Sequence, residues 1–434
     1  MDNLNGYKAF EPGMICKGKQ YQENTDYEEE GGEICEKGMM HYCVNPFDVL
    51  NFYPLVNDSG KVSDFAAVKS LEEPVSGDDG KFATKKLHIG VKLGLPGFVK
   101  ACIDYLKEET IVNAPNSTVS SGNYAQIGSS GDSAKIGSSG YYAQIGSSGY
   151  YAKIGSSGDS AKIGSSGYYA QIGSSGYYAK IGSSGDSAKI GSSGYHAKIG
   201  SSGNYAQIGS SGYNAKIGSS GNYAQIGSSG YNAKIGSSGN YAKIGSSGDS
   251  AKIGSSGNYA KIGSSGDSAK IGSSGYSAKI GSSGDYAQIG SSGYHAKIGS
   301  SGYYAKIGSG GNYAQIGSSG YYAKIGSSGY YAKIGSSGYY AQIGSSGNYA
   351  KIGSSGDYAQ IESAGEDSVI CCAGHDSAVK AKAGSWITLA EWEYSEGKHG
   401  YVPKFVKTEY VDGERIKADT WYKLIDGEFT EVSP

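Results

Sequence analysis

The sequence predicts an all-β protein built on a parallel β-solenoid, a β-roll of 18-residue coils, with a small α+β domain before it and a small antiparallel sheet after it. Three observations carry this prediction. A nine-residue unit of consensus x-x-Ala-(Lys/Gln)-Ile-Gly-Ser-Ser-Gly recurs 27 times from Asn123 to Ile361, and a fixed short period is the mark of a solenoid. Gly (73 residues) and Tyr (40) exceed ordinary usage while Pro is only 8, which fits a turn-rich array and excludes collagen. Within each unit the run Tyr-Ala-Lys-Ile alternates, and a period of two belongs to strands.

The first domain is expected over residues 1–118. Phe10, Ile15, Val49, Leu50, Phe52, Tyr53, Leu55 and Val91 are available for a small core. Gly31, Gly32 and Gly38 punctuate strand-like pieces at 13–19 and 38–43. The segment 45–53 reads as a helix with Asn45 as N-cap, Pro46 at its first position and Pro54 at its end. Ser76-Gly77-Asp78-Asp79-Gly80 reads as a loop. From 98 to 107, Phe98, Ala101, Cys102 and Tyr105 fall at helical spacing, with Asn113-Ala114-Pro115 as a break, and this helix is expected to cover the open first coil of the array. Cys35, His41 and Cys43 are too few and too irregular for a tetrahedral metal site, so core thiols are the expected reading and no metal or cofactor is assigned.

Two resemblances arise here. Ile15-Cys16-Lys17-Gly18, Gly38-Met39-Met40-His41-Tyr42-Cys43 and Asn45-Pro46-Phe47-Asp48-Val49-Leu50, together with Trp386-Ile387-Thr388-Leu389-Ala390-Glu391-Trp392 near the end, resemble an uncharacterised family of bacterial and phage proteins in which such a module precedes nonapeptide repeats. That resemblance implies a phage or gut-bacterial setting and no established activity. The step from Gly38 to Tyr53 is similar to the central strand-then-helix step of ADP-ribosyltransferases, although no catalytic Glu in a family-like context accompanies it.

The solenoid is expected over 119–384, with 27 regular units in 123–361 and a degenerate end at 362–384. Alternation places Ala125, Ile127, Ala134, Ile136, Ala143 and Ile145 in the interior. Gly-Ser-Ser-Gly is expected to be the corner, its glycines supplying positive φ. Nine residues hardly close a coil around one Ile, whereas two units give two sheets facing across a thin interior. Asn at the first position falls in even-numbered units six times out of seven, from Asn204 to Asn348, which favours two unlike faces. About 13 coils at ~4.8 Å make a rod of roughly 65 Å. Tyr124, Tyr142, Tyr151 and Tyr169, beside Lys153 and Lys180, form rows on the outside. These rows shield the sheets, and they are also the candidate binding ladder.

The array shares its period of nine with the calcium-binding repeats of secreted toxins. Its Gly-Ser-Ser-Gly lacks the Asp that holds calcium there, and Asp132 or Asp249 sits elsewhere in the unit. It is similar in alphabet to trimeric adhesin heads without their coiled-coil stalk, and to ice-binding solenoids without their Thr rows.

From Glu362 the rule decays, although Ser368 and Ile370 still hold the Ala and Ile places. The tail, 385–434, is expected to be an antiparallel cap with strands at 386–392, 401–410, 415–417, 421–425 and 429–432. Asp412-Gly413 and Asp426-Gly427 are its hairpin signals. His399 with Glu391, Glu393 and Glu396 reads as solvated rather than catalytic.

Charge is divided unevenly. The 27 units hold 18 Lys and 7 Asp, a net of +11, so the flanks together carry −13 within the chain's −2. A basic array between acidic ends favours head-to-body association or a polyanionic partner. No apolar run approaches a membrane span, and Met1-Asp2-Asn3-Leu4 opens no signal peptide, so the expected location is cytoplasmic, with virion or surface association as the other setting. Cys16, Cys35, Cys43, Cys102, Cys371 and Cys372 are unevenly spaced and read as free thiols. The function expected is non-enzymatic: a solenoid scaffold or multivalent surface for a protein or polyanion partner, with homo-oligomers formed through its faces or ends. The competing readings are a transferase-like enzyme displayed on the rod, and nucleic-acid binding by the Lys and Tyr array.

Overall fold

The computed structural model describes residues 5–31, 38–56, 61–76, 80–109 and 117–433. It comprises two compact units, 1–244 and 245–434. Cys35, Gly32, residues 77–79 of the expected loop and the break at 113–115 lie outside the described residues.

In both units the repeat forms four-residue parallel strands that begin every nine residues, as in Gln126–Ser129 and Lys135–Ser138. Each strand pairs with the one 18 residues later. Ile127 lies beside Ile145 and Ile136 beside Ile154 in the first unit; Ile271 lies beside Ile289 and Ile280 beside Ile298 in the second. Eighteen residues therefore make a coil, and alternate repeats build two separate sheets. Ala and Ile fill the interior between them.

The phase of the strand differs from the sequence reading. The strand is Lys/Gln-Ile-Gly-Ser, and the corner is Gly-x-x-Ala, closed by the Ala134 N–H donating to Gly131 O at 3.1 Å. The alternation begun by Ala and Ile simply continues, so the first Ser of each pair points inward; Ser165, Ser183 and Ser201 are fully buried. The glycines have a different purpose from the one expected. No glycine of the regular array has positive φ. The last Gly of each unit is required by close approach between coils: a Cβ at Gly149 would stand 2.0 Å from Gly131 O. The Gly inside the strand faces outward, and beside Gly155 or Gly173 a Cβ would meet nothing within 4 Å.

The first corner position explains the recurring Asn and Asp. The Asn240 N–H donates to Asn222 Oδ1 at 2.8 Å, and the Asn204 N–H to Asp186 Oδ1 at 3.1 Å. These side chains satisfy a corner donor of the next coil, a role beyond solvation. The second position takes two forms. The Tyr142 N–H donates backward to Asn123 O at 2.7 Å, whereas Tyr223, at φ 58°, donates forward to Asn240 O at 2.8 Å. Reversing that peptide turns a type I corner into type II. The left-handed tyrosine costs about 1–2 kcal/mol, set against an unchanged number of bonds to neighbouring coils.

The N-terminal domain is an antiparallel sheet of β1 (Asn5–Phe10), β4 (Thr25–Glu28), β5 (Met40–Cys43), β6 (Asp64–Ser70), β7 (Val75–Ser76), β8 (Lys81–Thr84) and β9 (Lys86–Lys92), in the order β4-β9-β6-β1-β5-β8-β7, with a hairpin of β2 (Ile15–Cys16) and β3 (Lys19–Gln20). Lys17 and Gly18 turn that hairpin with φ 49° and 80°, the type I′ geometry that suits strand twist. The helix expected at 45–53 shrinks to α1 (Val49–Phe52), because Asn45 Oδ1 accepts from the Phe47 N–H at 3.0 Å and spends its cap on a turn. The second helix, α2, is longer than expected and runs Gly94–Glu109. It packs on β6 through Phe98, stacked on Phe65 at 3.9 Å. Its other contacts extend the expected placement: α2 lies across the flank of one solenoid sheet, reaching the first coil at Gln126–Ser129 and running on over Gln144–Ser147, Lys162–Ser165, Lys180–Ser183 and Lys198–Ser201.

In the second unit the stack keeps register into its degenerate end, with Ile370 beside Ile352 and Val379 beside Ile361. Parallel growth then stops. Trp386–Ser395 pairs in parallel with Val369–Cys372 and antiparallel with Gly400–Tyr410. Trp421–Ile425 pairs antiparallel with Ala378–Ala381 and with Glu428–Glu431. Both sheets thus end in antiparallel hairpins, which occupy edges that would otherwise recruit another strand. Asp426 and Gly427, at φ 51° and 74°, form the expected turn. The strand expected at 415–417 is absent, because Asp412 Oδ1 accepts from the Glu414 and Ile416 N–H groups at 2.9 and 3.0 Å and curls the chain.

Candidate functional site

The outward Gly in each strand leaves a trough along each sheet, bordered by Lys or Gln on one side and Ser on the other. In the first unit the trough of one sheet is filled. Leu95 and Val99 of α2, with Leu55, lie over Gly182, Gly200 and Gly218 at distances of 3.4–3.9 Å from where a Cβ would be. No larger residue in that row would admit a helix so close. The bordering lysines reach into the domain above. Lys162 Nζ pairs with Asp48 Oδ1 at 3.0 Å, Lys180 Nζ donates to Phe47 O at 3.1 Å and to Asn51 Oδ1 at 2.8 Å, and Lys198 Nζ donates to Leu50 O. The acceptors are one carboxylate, one amide and two carbonyls around α1. Burial, with Lys162 nearby, lowers Lys180 to about 8; burial, with Lys180 and Lys216 nearby, lowers Lys198 to about 7.

The second unit carries the same row. There it forms an open groove of about 540 Å³, lined by Gly308, Gly326, Gly344, Ser309, Ser327 and Ser345. Glu362 stands where the next Gly would be, paired with Lys380 Nζ at 2.7 Å.

The aromatic rows occupy the corners. Tyr124 stacks on Tyr142 at 5.2 Å and Tyr151 on Tyr169 at 5.4 Å, and Tyr304, Tyr322 and Tyr340 continue the pattern in the second unit. All four of the first-named rings are exposed. The structure does not gather the six ladder residues into one platform: Lys153 is exposed on one sheet, while Lys180 lies on the other beneath the N-terminal domain. Of the six interior residues, Ile127, Ala134, Ile136, Ala143 and Ile145 are buried, and Ala125, in the first coil, is partly open.

The N-terminal domain has a cleft of its own, about 260 Å³, between β1, β5 and α1, lined by Lys8, Cys16, His41, Cys43, Phe52 and Tyr53 among others. Lys8 is 94 % buried, and its Nζ donates to His41 O at 2.7 Å. Cys16 Sγ and Tyr53 Oη are 2.8 Å apart. His41 and Cys43 do lie near one another, but no group of His, Cys, Asp and Glu fit to hold a metal ion occurs among the described residues. His399 is exposed, and Glu391 is engaged by Lys404 Nζ at 3.0 Å and the Gly427 N–H at 2.8 Å. Sequence reasoning missed both the trough and the cleft. Counting the alternation one residue past Ile would have turned the strand Gly outward; nothing in the spacing of Lys8, Cys16 and Tyr53 announces their meeting.

Residues 4–101 match the model of a domain of unknown function, DUF7666. The match spans the N-terminal sheet, α1 and the start of α2, so a DUF7666 domain precedes the solenoid. No curated protein and no solved structure matches the chain. No helix among the described residues is long and apolar enough to cross a membrane.

Proposed function

We propose that this is a non-enzymatic interaction protein whose solenoid is a scaffold with a repeated docking groove, in the phage or gut-bacterial setting that its sequence resembles. The observation that supports this is the chain's use of its own trough: a helix with small apolar side chains sits on the glycine row while bordering lysines reach acceptors beside it. The open row in the second unit offers the same glycines, bordered by Lys306 and Lys324 and then by Gln342. Its occupant is therefore an amphipathic helix with Leu and Val on one face and carboxylates or free carbonyls alongside. A flat row of glycine excludes no such helix by shape, so the lysine border sets specificity through charge.

The test is a fluorescent peptide of residues 94–109 titrated into the full chain and followed by anisotropy. Saturable binding that is lost on Gly308→Trp with Gly326→Trp is expected, since both positions open to empty space and tolerate the ring. No binding, or binding indifferent to the tryptophans, refutes the proposal.

A further inference from the structure

The N-terminal cleft carries chemistry that docking does not use. Lys8, in the middle of β1, lines it, nine-tenths buried, and its described neighbours are the His41 carbonyl, the Cys16 and Cys43 thiols, Lys17, and the rings of Phe10 and Tyr21 at 5.7 and 6.0 Å from Nζ. Among the described residues no carboxylate acts on it, and burial holds its ammonium below the ordinary value. The titratable groups around it come from β5, from the β2–β3 hairpin and from Tyr21 just after it. An amine kept from water in an open cleft is the form in which lysine becomes a nucleophile. The walls add Val49, Phe52 and Tyr53, a flat apolar lining, and Lys17 and Lys81 stand among the lining residues. At about 260 Å³ the space falls below that of drug-sized sites.

We propose that Lys8 forms an imine with a small, flat aldehyde or ketone, of the aromatic carboxylate class, that enters the cleft between β1, β5 and α1. The nitrogen lone pair of Lys8 attacks the carbonyl carbon, forming the C–N bond and moving the C=O π pair to oxygen, which takes a proton. The carbinolamine then loses its hydroxyl as water, breaking the C–O bond, while nitrogen gives up its remaining hydrogen as a proton. Amine and carbonyl compound thus become imine and water, with nothing oxidised or reduced. The adjoining Cys16 thiol and Tyr53 hydroxyl form a chain along which the proton for the departing hydroxyl passes. The rim lysines receive the ligand's carboxylate.

The experiment treats the full chain with 4-carboxybenzaldehyde and cyanoborohydride at neutral pH and maps the reduced adduct by peptide mass spectrometry. Lys8 is expected to carry more label than any other lysine. Label confined to exposed lysines such as Lys153, with Lys8 unmodified, overturns the proposal. A pH series on the wild-type chain provides a reading that needs no variant: below their ordinary pKa, exposed lysines lose reactivity about tenfold per unit, and Lys8 is expected to fall less steeply. An equal fall overturns it. Benzaldehyde, lacking the carboxylate, is expected to label Lys8 more slowly, and an equal rate removes the assigned ligand class. Lys8→Arg, folded by circular dichroism, is expected to leave only background labelling; this result is independent of peptide docking in the solenoid groove.

Discussion

Two glycines six residues apart, Gly149 and Gly155, are expected to respond to the same substitution with opposite signs. Neither has positive φ, so alanine strains neither backbone. At Gly149 the added methyl would stand 2.0 Å from Gly131 O and 3.0 Å from Gly131 C, against an ordinary contact of about 3.5 Å or more. The coil has to open by more than an ångström at that corner, through a stack whose hydrogen bonds above and below are 2.6–3.0 Å long. Overpacking of this kind costs about 1–3 kcal/mol, and here broken bonds between coils add to it. At Gly155 the methyl meets nothing within 4 Å, and the loss of unfolded-state freedom stabilises by about 0.4–1 kcal/mol. The variants are therefore expected to differ by about 1.5–4 kcal/mol. Long repeat arrays need not melt in one step, so the assay is amide hydrogen exchange at Tyr151, Lys153 and their neighbours, supported by the urea midpoint. Faster exchange in Gly149→Ala and slower exchange in Gly155→Ala is the expected pair. Equal shifts in one direction would falsify the account of why each unit carries two kinds of glycine.

Two further outcomes concern the docked domain and the corners. Lys180 and Lys198, at about 8 and 7 when covered by α1, take up protons toward the ordinary lysine value when uncovered. The uncovered state binds more protons from about pH 7 to 10, so docking is weakest below pH 7 and strengthens as pH rises through that window; exchange of the Tyr53 amide, bonded to Val49 O in α1, that slows between pH 7 and 9 after correction for its intrinsic rate meets this expectation, and faster corrected exchange contradicts it. Asn222→Ala removes the acceptor of the Asn240 N–H and is expected to cost about 0.5–1.5 kcal/mol locally, read as faster exchange of that amide with distant coils unchanged.

The period of nine, the alternation of Ala and Ile and the interior they build were legible in the sequence because each follows from local geometry repeated without exception. The two-repeat coil was legible too, since nine residues do not enclose an Ile and the Asn positions favour alternate units. The altered residues from Glu362 onward and the Asp426-Gly427 turn marked the end of growth. These features depend on residues within one coil of each other, and adjacency in the chain is enough to specify them.

Other features were decided by tertiary structure. Whether Gly gives a corner its φ or makes room for a neighbouring coil is the same letter in the sequence, and only stacking shows that Gly149 is packed against Gly131 while Gly155 faces open space. A helix at 94–109 could be read from its spacing, but its seat on the glycine row depends on Lys162, Lys180 and Lys198 meeting α1 from more than a hundred residues away. The repeat determined its own coil, because every unit meets an identical unit. The placement of the DUF7666 domain, and the cleft that gathers Lys8, Cys16 and Tyr53, required the fold, because those contacts join unlike segments for which the sequence has no period.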